Sequence, residues 1–181
     1  KKICSECQVY NLDPELVKTI GRYRFRFSYG QNLGIHTIEE TKIGVQIAHE
    51  LGLSEEDIQS VRMGCLLHDI GKVVTDEEGT HVQLGVDLLK KYGLSEQVIS
   101  AVAEHHEDKQ FSSYVSRIVW IADAISGSRP GARYEPHENY VKRMKVIEEI
   151  GRSFPGVAEV FAFQAGRDVR VVVKPDQVTD T

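Results

Sequence analysis

Apolar positions recur at helical spacing along most of the chain, and short polar segments with helix-start residues separate the apolar runs. Asp13 and Pro14 open a predicted helix over roughly 14–28, because an N-cap aspartate followed by proline is a common start signal. A second predicted helix runs from about 33 to Leu51. Serine or threonine N-caps predict three more helices, which begin after Ser54, Thr80 and Ser95.

In the later part of the chain the spacing of apolar residues changes once, from helical to alternating. Residues 114–127 are apolar almost all round and predict a buried central helix, and residues 137–153 predict another. Beyond them, apolar and polar residues alternate as in two strands that turn around Gly166. The predicted fold class is therefore mainly α. A helical domain over 1–155 carries a small C-terminal antiparallel β-hairpin over 156–181, packed on it to make a single domain.

Size and charge narrow the function classes. The chain has 181 residues, enough for one domain, and its net charge of −5 provides no general basic surface for nucleic acid. A nucleic-acid partner would have to be held by a few local cations. No apolar run approaches the roughly 18–20 residues of a membrane span, so we expect no membrane contact from this chain itself.

The three cysteines form a poor disulfide framework, which predicts a reducing, cytoplasmic compartment. Cys4 and Cys7 form a CxxC pair, a spacing that occurs in zinc and redox sites. The only other thiol, Cys65, lies in an apolar run and does not supply the further ligands of a structural zinc site. We expect the pair to be two tolerated thiols.

One carboxylate interrupts the apolar run that predicts the central helix. Asp123 lies in the apolar run of the predicted central helix, and an unpaired carboxylate there would be costly. Arg117 is six residues away and lies on a different helix face. A bound metal ion is the simplest partner for this carboxylate.

Five histidines lie at predicted helix ends or beside apolar runs, which surface solubility would not require. Each alone is more often a core or surface residue, but the set together with two aspartates indicates a metal centre. Mixed imidazole and carboxylate ligands suit manganese, iron, cobalt, nickel or zinc and disfavour calcium. The candidate ligands are His36, His68, Asp69, His81, His105, His106 and Asp123.

The order of these residues resembles the HD superfamily of metal-dependent phosphohydrolases, which are helical proteins. His36, the His68-Asp69 pair and Asp123 match its ligand motif, and the remaining three histidines resemble those of its two-metal branch. Four longer stretches resemble the catalytic region of the ribonuclease Y family over roughly residues 8–178. They read DPELVKTIGRYRFRFSYGQN at 13–32, LLHDIGK at 66–72, RPGARYE at 129–135 and QAGRDVRVVVKP at 164–175.

The resemblance implies a bacterial endoribonuclease that cuts single-stranded RNA and starts messenger RNA decay. Its members are anchored on the cytoplasmic side of the membrane by segments outside this region, which implies that this chain is a fragment. It also implies a homodimer and one or two divalent ions. Manganese is the first expectation, with iron, zinc, nickel, cobalt or magnesium as alternatives.

Within this resemblance each polar residue receives an expected role. Asp69 would bridge two ions, with His36, His68 and Asp123 on the first ion. The histidines at 81, 105 and 106 would hold the second ion. Lys72 would act in catalysis by contacting a phosphate oxygen, or would simply be solvated. Arg129 and Arg133 would bind a further phosphate, or would cap the preceding helix.

Two features depart from relatives within the superfamily. The sequence after His106-Glu107 is not the Gly-Tyr-Pro of cyclic-dinucleotide phosphodiesterases, and Asn32 stands where three-metal relatives have glutamate. The stretch 22–27, RYRFRF, interleaves cations and aromatics as a nucleic-acid surface does. On a predicted helix these residues spread over all faces, so we expect packed aromatics and solvated arginines.

Three functions are consistent with the sequence. The first is an endoribonuclease, and the second is a phosphohydrolase of a nucleotide or small phosphate ester in the same superfamily. The third is a helical dimerisation module with a structural metal site, which the large ligand set disfavours because structural sites close with about four ligands.

Overall fold

The computed structural model describes residues 1–28, 30–75, 78–107, 110–128, 137–163 and 168–178, without the side chains of 137–140 and 143. The described part contains eight α-helices, two short 3-10 helices and two antiparallel strand pairs, which confirms the mainly α fold class. The α-helices are α1 (Lys2–Glu6), α2 (Pro14–Gly21), α3 (Leu33–Glu50), α4 (Glu55–Leu67), α5 (His81–Lys91), α6 (Glu96–Glu104), α7 (Tyr114–Ser128) and α8 (His137–Arg152).

The predicted helix starts are confirmed by their caps. The side chains of Ser54, Thr80 and Ser95 each accept a hydrogen bond from the backbone N–H three residues later. Asn32 does the same for two N–H groups at the start of α3. A side-chain acceptor satisfies a backbone donor that has no partner inside the helix.

The predicted helix over 14–28 is wrong beyond its first half. Helix α2 ends at Gly21, a 3-10 helix follows over Arg22–Phe25, and β1 (Phe27–Ser28) then pairs with β2 (Gln31–Asn32). Gly30 has a φ of +78°, a conformation that glycine adopts without the strain of a Cβ. This glycine therefore turns the chain back in a tight hairpin where the helix was expected to continue.

Contacts divide the chain into two compact units, residues 1–133 and 134–181. In the first unit α3, α4 and α7 share an apolar core, and a second core joins α1, α2, α5 and α6 to the end of α4. Helix α7 buries only one face, that of Val115, Ile118, Val119 and Ala122, whereas Ile125 is 44% exposed. The expectation of a buried central helix is therefore confirmed for one face of α7 and wrong for the rest.

The second unit contains α8 and the predicted C-terminal hairpin. Strand β3 (Val157–Phe163) pairs antiparallel with β4 (Asp168–Val173), and the expected turn at Gly166 lies outside the described residues. The proposed domain boundary at residue 155 stays a prediction. No helix in the described ranges combines the length and the apolar character needed to cross a membrane.

Candidate metal centre

The predicted metal ligands converge from five helices of the first unit. Helix α3 carries its histidine in the first turn, and α4 ends directly before the histidine–aspartate pair. Helix α5 begins with one histidine, α6 is followed by two, and α7 carries an aspartate in its second half. These residues are His36, His68, Asp69, His81, His105, His106 and Asp123.

The first cluster lies between α3, α4 and α7. His36 Nε2 is 3.1 Å from Asp123 Oδ1 and 3.5 Å from Glu40 Oε2, and His68 Nδ1 is 2.9 Å from the same Glu40 oxygen. The ligating atoms of the four residues all lie within 4.8 Å of one another. Asp123 is only partly buried, with 28% of its side chain exposed.

The second cluster is formed by His81, His105 and His106, whose ligating atoms also lie within 4.8 Å of one another. His81 Nε2 is 2.8 Å from His106 Nε2. Asp69 stands between the two clusters. Its Oδ2 is 3.1 Å from His68 Nε2, and its Oδ1 is 3.7 Å from both His81 Nε2 and His105 Nε2.

Three of the histidines have a protein partner on their Nδ1 atom. Nδ1 of His68 donates to the Cys65 carbonyl at 2.9 Å, and Nδ1 of His105 donates to the Val102 carbonyl at 2.6 Å. Nδ1 of His36 lies 3.0 Å from the Ser126 hydroxyl. The two carbonyls can only accept, so they favour the tautomer of His68 and His105 that leaves the Nε2 lone pair available to a metal, whereas the Ser126 hydroxyl can accept or donate.

Several buried polar atoms at the centre have no hydrogen-bond partner among the described residues. They include His68 Nε2, His105 Nε2, Asp69 Oδ1 and both carboxylate oxygens of Glu40. Buried polar groups in proteins are normally paired, and a buried charge needs a counter-charge. Lone pairs of imidazoles and carboxylates that face one another fit a divalent cation, so the residues present suit the metal that the sequence predicts.

The environment shifts the pKa values of these groups. Burial disfavours the charged form of His68, but the Glu40 and Asp69 carboxylates outweigh it and raise the pKa of His68 well above its usual value. Burial also opposes ionisation of Asp123, yet the hydrogen bond from His36 and the charge of His68 lower its pKa to about 2. Metal binding would displace these protons from His36 and His68, since a ligating imidazole nitrogen must be deprotonated. Partial burial lowers the pKa of His81 to about 4 and also lowers that of His106. These two imidazoles are therefore neutral at physiological pH.

A glycine lets the histidine–aspartate turn approach α5. After Asp69 the chain forms a 3-10 helix over Ile70–Val73. A Cβ on Gly71 would lie 1.8 Å from the carbonyl oxygen of His81 and 2.8 Å from the backbone nitrogen of Gly85. Since both are backbone atoms that cannot move aside, only glycine permits this contact, which brings His81 close to Asp69.

The centre opens into a cleft of about 240 Å³. Lys72 lines this cleft, and its Nζ donates to Asp69 Oδ2 at 2.7 Å. Lys72 is thus paired with the central carboxylate, and the expectation of a merely solvated lysine is wrong. Ser28 and Gln31 of the β1–β2 hairpin line the same cleft. Arg129 and Arg133, the other predicted phosphate contacts, lie outside the described residues.

Sequence reasoning missed two residues at this centre. Glu40 is fully buried and joins the first cluster, and Ser126 is fully buried and holds His36. Glu40 follows His36 by four residues, which places both on one face of α3. That spacing was the available signal for Glu40, whereas no signal pointed to Ser126.

The CxxC pair lies apart from this centre. Cys4 and Cys7 are free, buried thiols in an apolar core, and neither belongs to a group of metal-ligating residues within the described ranges. Burial raises the pKa of Cys7 to about 11, so its thiol is not a ready nucleophile.

Comparison with known proteins agrees with this geometry. Ribonuclease Y of Lactobacillus helveticus is 48% identical over 176 residues, which are 97% of this chain and 32% of that protein. Ribonuclease Y of Mesoplasma florum is 47% identical over 180 residues, 99% of this chain and 35% of that protein. Ribonuclease Y of Lachnoclostridium phytofermentans is 51% identical over 176 residues, 97% of this chain and 34% of that protein.

The chain spans about a third of the length of these curated relatives. No solved structure matches it significantly. The model of one family, described as the HD domain, matches residues 33–148, a range that includes every predicted metal ligand. The resemblance read from the motifs is thereby confirmed, and the chain belongs to the HD domain family.

Proposed function

We propose that this chain is the catalytic part of a metal-dependent endoribonuclease that hydrolyses phosphodiester bonds in single-stranded RNA. One observation carries the proposal: His68 Nε2, His105 Nε2 and Asp69 Oδ1 are buried, unpartnered and directed at one another between two ligand clusters. A structural ion would close with about four ligands. Two clusters joined by a carboxylate instead support a pair of ions.

In this proposal the two ions share Asp69. His36, His68 and Asp123 would hold the first ion, while the three histidines of the second cluster would hold the other. The mixture of imidazole and carboxylate donors supports manganese, with iron, zinc, nickel, cobalt or magnesium as alternatives. When bound, the ions supply Lewis-acid activation of the phosphodiester and of the attacking water.

The chain's own groups would orient the substrate. Lys72 brings a cation to the cleft and neutralises one oxygen of Asp69. A nonbridging phosphate oxygen that enters the cleft would meet this ammonium group, in addition to any ion. Arg129 and Arg133 remain proposed contacts for a neighbouring phosphate.

The hairpin beside the cleft supports RNA rather than a small phosphate ester. The expectation of packed aromatics in residues 22–27 is confirmed for Tyr23, which is fully buried, and is wrong for Phe25 and Phe27, which are 81% and 65% exposed. Side chains alternate along a strand, which places Phe27 on the face opposite to the cleft-lining Ser28. Arg26 is exposed and directly precedes this strand.

Exposed phenylalanines with flanking arginines are typical of surfaces on which successive bases stack. We name the surface formed by residues 24–28 the rim. It supplies cations locally on a chain whose net charge is −5. The printed name of the relatives, Ribonuclease Y, supports the same substrate class.

Purified chain loaded with manganese tests the proposal. It should cut unstructured RNA internally, leave duplex RNA largely intact and turn over nucleoside monophosphates slowly. His68→Ala should abolish the activity, whereas His49→Ala removes an exposed histidine and serves as the matched control. Fast turnover of the monophosphates with intact RNA would instead identify a nucleotide phosphohydrolase.

Properties of the whole protein are also proposals. We infer a cytoplasmic site of action and a homodimer, with the initiation of messenger RNA decay as the role. Three free buried cysteines support a reducing compartment. Light scattering of the chain over a concentration series tests the dimer, and a constant monomer mass would contradict it.

A further inference from the structure

Glu40 is a buried carboxylate that the proposed function does not use. Its relative exposure is 0%, and neither of its oxygens has a hydrogen-bond partner in the described part of the chain. The nearest ring nitrogen, Nδ1 of His68, lies 2.9 Å from Glu40 Oε2 and equally 2.9 Å from the Cys65 carbonyl, so a single N–H faces two acceptors. The neighbouring hydroxyl of Thr41 donates to the Thr37 carbonyl instead.

A fully buried carboxylate is strongly unfavourable unless it is paired, and one shared N–H does not satisfy both oxygens of Glu40. Glu40 faces the metal centre and not the solvent, so a cation at that centre would satisfy it. Glu40 belongs to the first cluster of possible metal ligands, together with His36, His68 and Asp123.

The arrangement around His36 indicates where the cation would lie. Nδ1 of His36 contacts Ser126, while its Nε2 lies 3.1 Å from Asp123 Oδ1 and 3.5 Å from Glu40 Oε2. Two donor atoms that each lie roughly 2.0–2.2 Å from one ion are about 3–3.5 Å apart. From these separations we propose that Glu40 is an additional ligand of the first ion.

This inference rests on the metal centre of the proposed function but not on its RNA substrate. With Glu40, the first ion has the carboxylates of Asp69, Asp123 and Glu40 and the imidazoles of His36 and His68. Such an oxygen-rich set with more than four ligands suits manganese or iron(II) better than tetrahedral zinc. The site is therefore biased towards ions that accept five or six ligands.

The test is Glu40→Gln, which keeps the shape and removes the charge. Calorimetric titration of metal-free chain with Mn²⁺ should show one of the two sites weakened at least about tenfold and the other unchanged. The melting temperature of metal-free Glu40→Gln should equal or exceed that of the parent, since the desolvation cost of a fully buried carboxylate is removed. Glu39→Gln makes the same chemical change one residue earlier, outside the cluster, and should leave both sites unchanged.

A second readout separates direct ligation from an effect through His68. The visible absorption of bound Co²⁺ depends on its ligand number and type. It should change in Glu40→Gln if Glu40 is a ligand and stay constant if Glu40 only orients His68. If Glu40→Gln fails to fold, Glu40→Val fills the same space with an apolar group and takes its place.

The outcomes are distinct. Two ions bound with parental affinity by Glu40→Gln, or weaker binding with an unchanged Co²⁺ spectrum, would overturn the role of Glu40 alone. Failure of the parent chain to bind any ion would overturn both this inference and the proposed function. Metal binding without RNA cleavage by the parent would overturn the proposed function and leave the role of Glu40 standing.

Discussion

Asp69 Oδ1 and His105 Nε2 lie 3.7 Å apart, both buried and neither hydrogen-bonded within the described structure. Asp69 is the residue that touches both ligand clusters, because its other oxygen faces His68. Two unpartnered acceptors at this distance repel each other unless a cation lies between them. The strongest functional predictions therefore concern Asp69.

Asp69→Ala should lower RNA cleavage by more than about a hundredfold, because Asp69 would bind both ions directly. Loss of a residue that only supports a metal ligand typically costs about tenfold to a hundredfold, so loss of a shared ligand should cost more. The fold should persist, since the removed group is at the edge of the core. Turnover with saturating Mn²⁺ and the far-ultraviolet circular dichroism spectrum measure the two effects. Near-parental turnover would exclude Asp69 as the shared ligand.

Lys72→Met should separate metal binding from turnover. Lys72 Nζ competes with an ion for Asp69 Oδ2, so its removal should leave Mn²⁺ affinity equal or higher. The kcat on RNA should fall by roughly tenfold to a hundredfold, as a charge-assisted contact to phosphate of about 1.5–3 kcal/mol is lost. Lys42→Met changes an exposed lysine of α3 and is the control. An unchanged kcat would show that Lys72 only balances charge.

Ser126→Ala should weaken the first ion without unfolding the chain. The Ser126 hydroxyl holds the outer nitrogen of His36, and such partners typically contribute tenfold or more to metal affinity. Titration with Mn²⁺ should therefore show roughly tenfold weaker binding at one site. Ser128→Ala, near the end of the same helix, is the matched control. Equal affinities in the two variants would mean that packing alone orients His36.

Replacing the rim aromatics should affect RNA but not a small substrate. Phe25→Ala with Phe27→Ala should raise the KM for single-stranded RNA, with a loss of about 1–3 kcal/mol per stacked base. Turnover of a chromogenic phosphodiester should stay constant because the cleft is untouched. Tyr114→Ala removes a similarly exposed aromatic, 71% accessible, that does not line the cleft. An unchanged KM in the double variant would exclude the rim as an RNA-binding surface. If the double variant instead became monomeric while the parent was a dimer, the rim would be a dimer contact.

Alkaline pH should lower the free energy of unfolding of the chain. Burial raises the pKa of Cys7 from 9.0 to about 11 and raises those of Cys65 and Tyr23 well above their usual values. Above pH 9 the unfolded chain loses the Cys7 proton while the folded chain retains it. Stability is therefore complete below pH 9 and falls as the pH rises towards 11, by up to about 3 kcal/mol for Cys7 alone. Urea unfolding between pH 8 and 11 measures the slope, and Cys7→Ala should reduce it. A flat profile would contradict the burial of these groups.

The sequence predicted the helices well because their signals are local. Ser54, Thr80 and Ser95 cap their helices through contacts that span only three residues. The helix prediction fails at residues 22–28 because hydrogen bonds to residues outside this stretch stabilise the 3-10 helix and the hairpin instead. Arg22 donates to the Val73 carbonyl, and the Asn32 side chain donates to the Arg24 carbonyl. Neither partner is visible to a pattern that covers one helical window.

The metal centre was predictable as a set of seven residues in two groups, but without its two further buried members, Glu40 and Ser126. Histidines and aspartates stood out because they interrupt apolar runs, whereas Glu40 was hidden among the ordinary carboxylates of a helix. Its role depends on helices that lie far away in sequence, since α7 brings Asp123 and Ser126 to the face that α3 presents. Burial of a glutamate is a property of that packing, and no local period encodes it.

The backbone contact at Gly71 makes the two ligand clusters mechanically dependent. The His81 carbonyl rests directly on the glycine that follows the histidine–aspartate pair, so α5 cannot lift away without moving Ile70–Val73. Local opening of one cluster would then open the other, and both would belong to one cooperative unit of the native state. Backbone amides beside the two clusters would then exchange with solvent through the same opening, and should show similar protection in a hydrogen-exchange experiment.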